Sequence, residues 1–228
     1  MQEYQMTSWS RKWGGARVVF TGTQQNLTSG QYKADKDLFP DLVNGYVPAS
    51  TPVFADDSAR TIEPLYAFAT NAVTAFSNED TNFSIQLKKG WEGSRVRVGM
   101  VLGVCPTTDL TAEVKDPLTV TAVDRTNVEY DVVTVTGAAR TATQIAAGTE
   151  MIEIKLNGGK YYSKVLPNGL LPYDVAKDPN CLAMTGLDAM FCHPNGVLLT
   201  NRVPVIPQAI RAYMRTQDVY IRYSTSKE

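Results

Sequence analysis

Histidine occurs once in this 228-residue chain, at His193, and cysteine three times, at Cys105, Cys181 and Cys192. An odd number of cysteines without C-x-x-C spacing argues against both a disulfide framework and a zinc site, so the thiols read as reduced and mostly buried. No apolar run approaches the roughly 18 residues that a bilayer-crossing helix needs. The opening Met1-Gln2-Glu3-Tyr4-Gln5 lacks the basic stretch followed by an apolar one that marks a secretory signal, so synthesis in a cytoplasm and no membrane partner are expected. The net charge is −1 and no block of Lys and Arg occurs. The electrostatic footprint of a nucleic-acid binder is therefore missing.

What is present is mostly strand pattern. Phe83, Ile85 and Leu87 alternate with Ser84, Gln86 and Lys88. Lys89-Gly90 then suggests a turn into a second strand over 95–98, with arginine out and valine in, and hence a hairpin. Further strands are expected over 118–122, 128–136 and 152–156, and the paired Val132-Val133 suggests a bulge. Asn157-Gly158 is the strongest short hairpin signal, with 160–165 returning beside 152–156. Helical signal is sparse: 207–214, with Pro207 in the first turn, and a turn or two within 141–147. Val219, Ile221 and Tyr223 share one face of a closing strand. With 43% hydrophobic residues the chain can bury one sizeable core, or a large core with a small satellite. The fold class expected is mainly β, a sandwich or barrel-like domain with few short helices.

The first 44 residues differ, with few aliphatics and the cluster Trp9, Arg11, Lys12, Trp13, Arg17 around Gly14-Gly15. They read as an extended arm (1–44) ahead of a β-rich domain (45–228), the alternative being a first strand at 16–20 paired into the core. A soft sub-boundary falls near Pro106.

Candidate reactive groups are weakly supported. Cys192 and His193 are neighbours, and neighbouring strand residues point to opposite faces, so they do not make a nucleophile pair. Asp56-Asp57-Ser58 and the set Asp124, Glu129, Asp131 offer carboxylates but no recognised cation-loop spacing. They read as solvated turn residues. Asn157-Gly158-Gly159-Lys160 lacks the phosphate-loop frame, and 99–103 lacks the helix a dinucleotide loop opens. Asn26-Leu27-Thr28 and Asn82-Phe83-Ser84 match the glycosylation sequon, which has no consequence without secretory entry. Tyr161-Tyr162 could form a sugar platform, but tyrosine is also a common strand residue. No catalytic residue, metal ligand or cofactor is assigned.

Two phrases carry more information: Gly45-Tyr46-Val47-Pro48-Ala49-Ser50-Thr51-Pro52-Val53, and Gly99-Met100-Val101-Leu102-Gly103. In the first, Pro48 sets φ for a turn and Pro52 lacks a donor, so the strand near Val53 is an edge or begins there. Together they resemble the Gly-x-Val/Ile-Pro-Ala-Gly-Thr-Pro and Gly-x-Val-Leu-Gly/Ala phrases of the head decoration and head fibre proteins of tailed bacteriophages. The one departure is Ser50, where that pattern has glycine. Residues 165–174 and 201–205 look like the longer head fibre members. The resemblance implies a non-enzymatic virion protein, made in the bacterial host cytoplasm and bound to the major capsid protein on the capsid exterior. It also implies a homo-oligomer, with a trimer favoured, and the arm residues Trp9, Arg11, Lys12, Trp13 and Arg17 as the capsid contact. The alternative is a carbohydrate-binding or adhesin module with a glycan partner.

Overall fold

The computed structural model describes residues 20–21, 26–27, 46–77, 79–90, 94–138, 143–171, 175–176, 192–193, 197–199, 204–217 and 222–224. The arm cluster at 9–17, Cys181 and the strand face at 219–221 lie outside them. In chain order the strands are β1 (Phe20–Thr21), β2 (Asn26–Leu27), β3 (Tyr46–Val47), β4 (Pro52–Asp56), β5 (Thr61–Pro64), β6 (Ala67–Ala69), β7 (Thr74–Ala75), β8 (Asn82–Lys88), β9 (Val101–Val104) and β10 (Leu118–Asp124). They continue as β11 (Tyr130–Gly137), β12 (Gln144–Ile145), β13 (Glu150–Asn157), β14 (Lys160–Ser163), β15 (Gly169–Leu170), β16 (Val175–Ala176), β17 (Cys192–His193), β18 (Val197–Leu199) and β19 (Arg222–Ser224). The protein is mainly β, as its alternating pattern predicts.

The central sheet runs β14-β13-β9-β10-β11-β8, with β6 also paired to β13. Backbone hydrogen bonds close it on itself. Lys89 N–H donates to Glu129 O on the β11 side, whereas Gln86 O accepts from Asn71 N–H. Consecutive strand residues address opposite edges, so Asn71 sits on the edge of β8 away from β11, where Thr70 bridges Leu87. The ring β8-β11-β10-β9-β13-β6 thus returns to β8 as a barrel, and Thr70 is its seam. Glu153 N–H bonds Tyr66 O and Glu153 O accepts from Lys164 N–H. β6 and β14 therefore lie end to end along one edge of β13, with β9 along the other.

The pleat sends Ile85, Leu87, Val120, Val133, Val135, Leu102, Met151 and Phe68 into the barrel, where they form one buried cluster. Phe76 and Phe83 stack at 4.5 Å between centroids. Outside β9 and β13, a second buried layer joins Ile152 and Ile154 to Leu110, Val114, Ile206, Ile210 and Met214. The last three are brought there by the segment ending in the helix Gln208–Thr216, which Pro207 precedes at the N-terminal boundary. β13 is consequently buried on both faces. Gly103 lets this outer layer approach: a Cβ there would sit 2.3 Å from Val114 Cγ1. The strands on either side of Pro106, β9 and β10, pair directly through Leu102 and Leu118.

Several local expectations are corrected. β8 pairs with β11 rather than with 95–98, and 94–97 forms no strand. Val96 is buried in the barrel core and Val98 is exposed. The bulge lies in β10, not at Val132-Val133: Val120 faces Val135 and Ala122 faces Thr134, leaving Thr121 as the extra residue. β11 keeps strict alternation, with Asp131, Val133 and Val135 buried. Within 141–147, residues 144–145 form strand β12 against β7, because the chain turns at Gly148, where φ is +78°. The β13–β14 hairpin forms as predicted, but Asn157 pairs with Lys160, and its central residues are Gly158 and Gly159 at φ +59° and +82°, the two positive values of a type I′ turn.

The phrase at 48–51 is a tight turn. Thr51 N–H and Oγ1–H both reach Pro48 O, at 3.2 and 2.7 Å, and Ser50, at the third position, has φ +66°. Positive φ there defines type II geometry, which favours glycine. Ser50 is 0% exposed. Its N–H donates to Leu171 O at 2.6 Å, and its hydroxyl has no hydrogen-bond partner. β4 then begins at Pro52 and lies between β15 and β5, so the proline marks a strand start and not an edge. Next along β4, the Asn168 side chain replaces a strand residue: its Oδ1 accepts from Ala55 N–H at 2.9 Å and its Nδ2 donates to Ala55 O at 3.0 Å.

Candidate functional site

The structure distributes the candidate carboxylates rather than gathering them. Asp56 Oδ1 accepts from Ser58 and Ala59 N–H at 2.8 and 3.0 Å, the local turn role expected of it. Asp124 is exposed and accepts from Thr126 N–H at 2.9 Å, and its carboxyl is held below the ordinary range by Thr126 hydrogen bonds. Glu129 is exposed, in the turn before β11. Asp131 departs from the expectation of solvated turn residues. It pairs across from Leu87 inside the barrel and is 0% exposed, so the three do not converge. Among the described residues, no group of three or more His, Cys, Asp or Glu is placed to hold a metal ion. Cys192 and His193 form β17 against Leu27 and Asn26, successive positions of one short strand. Cys105 is buried, and burial, with the Glu150 charge second, pushes its thiol up to about 12.

Two buried carboxylates organise the charges. Asp131 Oδ1 lies 3.1 Å from Lys89 Nζ and its Oδ2 lies 4.0 Å from Arg125 Nε. Lys89 Nζ also donates to the carbonyls of Arg125 and Asn127. Glu153 is opposite Leu102, also facing inward. Its Oε1 is 3.1 Å from Arg97 and 3.2 Å from Lys164, while Lys164 reaches Glu63 at 3.6 Å. Segment 94–97 links the two groups. Arg125 Nη2 donates to Val96 O at 2.6 Å, and Arg97 stands 5.7 Å over the Tyr66 ring. Each buried carboxylate has two cationic neighbours whose charge offsets part of the cost of burying it, while both Asp131 oxygens are held by charge alone, without a hydrogen bond among the described residues.

None of these pairings follows from the alternation rule alone, which places Glu153 outside between Ile152 and Ile154. The available signal was Asp131 falling in phase with Val133 and Val135.

A groove opens where the barrel seam is incomplete. Below the Thr70–Leu87 bridge, β6 and the end of β8 separate, and the gap is lined by Tyr66, Ala67, Lys88, Arg95, Pro52 and Pro204. It encloses about 60 Å³, against the roughly 300 Å³ or more of a small-molecule pocket. Tyr161 packs on the outer core layer and is half-buried, as is Tyr162. Comparison with family models, with curated proteins and with solved structures finds no match.

Proposed function

We propose that the chain is a structural virion protein that binds the outer surface of a phage capsid as a head decoration or head fibre protein, with no catalytic role. The observation that carries this reading is conformational. The two phrases that resemble the decoration pattern contain positions 50 and 99, and both have left-handed backbone, φ +66° at Ser50 and +87° at Gly99. Glycine is favoured at such φ, and the pattern has glycine at both positions. Backbone that favours glycine at both positions where the pattern carries it supports the resemblance.

In this reading the protein acts as a homo-oligomer, a trimer, because capsid symmetry axes offer rotationally repeated surfaces to a ring of identical chains. The arm residues Trp9, Arg11, Lys12, Trp13 and Arg17 make the attachment. Burying one tryptophan removes ~150–250 Å² from water, which at ~25 cal/mol per Å² is about 4–6 kcal/mol gross. Ordering the arm costs ~1–2 kcal/mol per residue fixed, so durable attachment requires several arms acting together.

The test is cryo-electron microscopy of particles assembled with and without this chain. Extra density on the capsid exterior in its presence is expected, and identical heads overturn the proposal. Light scattering that shows a monomer both free and on capsids removes the trimer. Deletion of residues 1–20 with unchanged capsid retention removes the arm as anchor.

A further inference from the structure

We infer that the open seam of the barrel, between β6 and the end of β8, is a strand-addition site for an extended, acidic segment of the capsid protein. The inference rests on the capsid reading above.

Three observations carry it. First, the residues of β6 alternate in the edge they address: Tyr66 O and Thr70 N–H bond the β13 side, which leaves the N–H and C=O of Ala67 facing β8. Among the described residues the seam is bridged only at Thr70 and Leu87 and not at Ala67, which is half-buried. The position offers one donor and one acceptor in strand geometry, the backbone recognition that β-augmentation uses. Second, the gap is walled by Pro52, Pro204 and Tyr66. These surfaces accept an apolar side chain of an incoming strand while donating no competing hydrogen bond from a proline nitrogen. Third, the rim is basic. Lys88 points outward from β8, is exposed, and has no ion-pair partner among the described residues, and Arg95 lies on the same rim. A segment with alternating apolar and acidic residues would place its apolar face in the gap and its carboxylates against the rim. The small volume of the gap suits one side chain of a strand, not a free small molecule.

Two substitutions separate this site from the rest of the fold. Ala67→Pro removes the N–H that faces the gap and leaves the β13 ladder intact, since proline is tolerated where a strand N–H is not in the ladder. Lys88→Glu reverses the rim charge at an exposed position. Capsid binding of both variants is measured beside the unmodified protein, with thermal unfolding as the check on folding. The expected result is at least a tenfold loss of capsid affinity in both, with unfolding temperatures near that of the unmodified protein. Undiminished binding by Lys88→Glu, or by a folded Ala67→Pro, overturns the seam while leaving the capsid reading intact. Failure of the unmodified protein to bind capsids overturns the capsid reading, and the seam site falls with it.

Discussion

Ser50→Gly should stabilise this protein although it deletes a buried side chain. Ser50 holds φ at +66°, and an L-residue in that region is disfavoured by roughly 1–2 kcal/mol. Its hydroxyl is buried without a hydrogen-bond partner, which costs about 1–3 kcal/mol. Glycine relieves both. Against this stands the greater freedom of glycine in the unfolded chain, roughly 0.5–1 kcal/mol, and the small void left by the hydroxymethyl group. The net expectation is a gain of about 1–2 kcal/mol, or ~2–8 °C in Tm for a chain of this size. The Ser50 N–H bond to Leu171 O is a backbone bond and survives the change. Differential scanning calorimetry of Ser50→Gly beside Ser50→Ala separates the two contributions, because alanine removes the hydroxyl and keeps the strained backbone. An unchanged or lowered Tm for Ser50→Gly would refute the strain argument, and a gain in Ser50→Ala equal to that of glycine would assign the whole effect to the hydroxyl.

Asn168→Ala removes both bonds to Ala55 and should cost about 2–4 kcal/mol by chemical denaturation, since a buried donor and acceptor lose their partners; Asn168→Asp should be nearly as costly because the carboxylate cannot donate to Ala55 O. Asp131→Ala leaves Lys89, still bonded to two carbonyls, without its carboxylate beside a new cavity, and the expected loss is about 1–3 kcal/mol, read as a lowered denaturation midpoint. Cys105, with its thiol raised to about 12, stays protonated at pH 8 and should resist iodoacetamide in the folded protein while reacting fully after unfolding, as peptide mapping would show. Asp109 and Asp124 are both lowered by hydrogen bonds from threonines, so the stability they contribute is present above the ordinary carboxylate value of ~3.9 and fades as pH falls from there toward their folded values. Converting both to Asn should flatten the acid limb of a Tm-against-pH curve below about pH 4.

What the sequence made legible was local. The hairpin at Asn157-Gly158, the helix after Pro207 and the β-rich class follow from turn chemistry and alternation within a few residues. The hairpin expected over 83–98 failed because alternation at 95–98 says nothing about which strand lies beside β8, and the partner comes from 130–137 instead. Asp131 was misread for a related reason: alternation assigns faces, but whether a face is interior depends on strands far away in sequence. The bulge was placed one strand off because a bulge in β10 and a doubled valine in β11 leave similar marks on pattern. The arm residues chosen as the capsid contact lie outside the described residues, and the seam at Ala67 has no sequence signature, since it arises from two strands that separate after a single bridge.

The way the ring is closed also sets an order of events during synthesis. β9, β10 and β11 pair with near neighbours in sequence and can form as soon as they emerge. β13 is the strand that joins β9 on one side to β6 on the other, pairing Met151 with both Val104 and Phe68. Until residue 152 or so has left the ribosome, β6 and β9 both present open edges, and the apolar faces they carry have nothing to cover them. Such edges are templates for pairing between chains, and distant pairings of this kind form slowly. Nascent or truncated chains ending before β13 should therefore be the species that aggregate, and slowing translation just ahead of Glu150 should lower the yield of folded protein more than slowing it after Ser163.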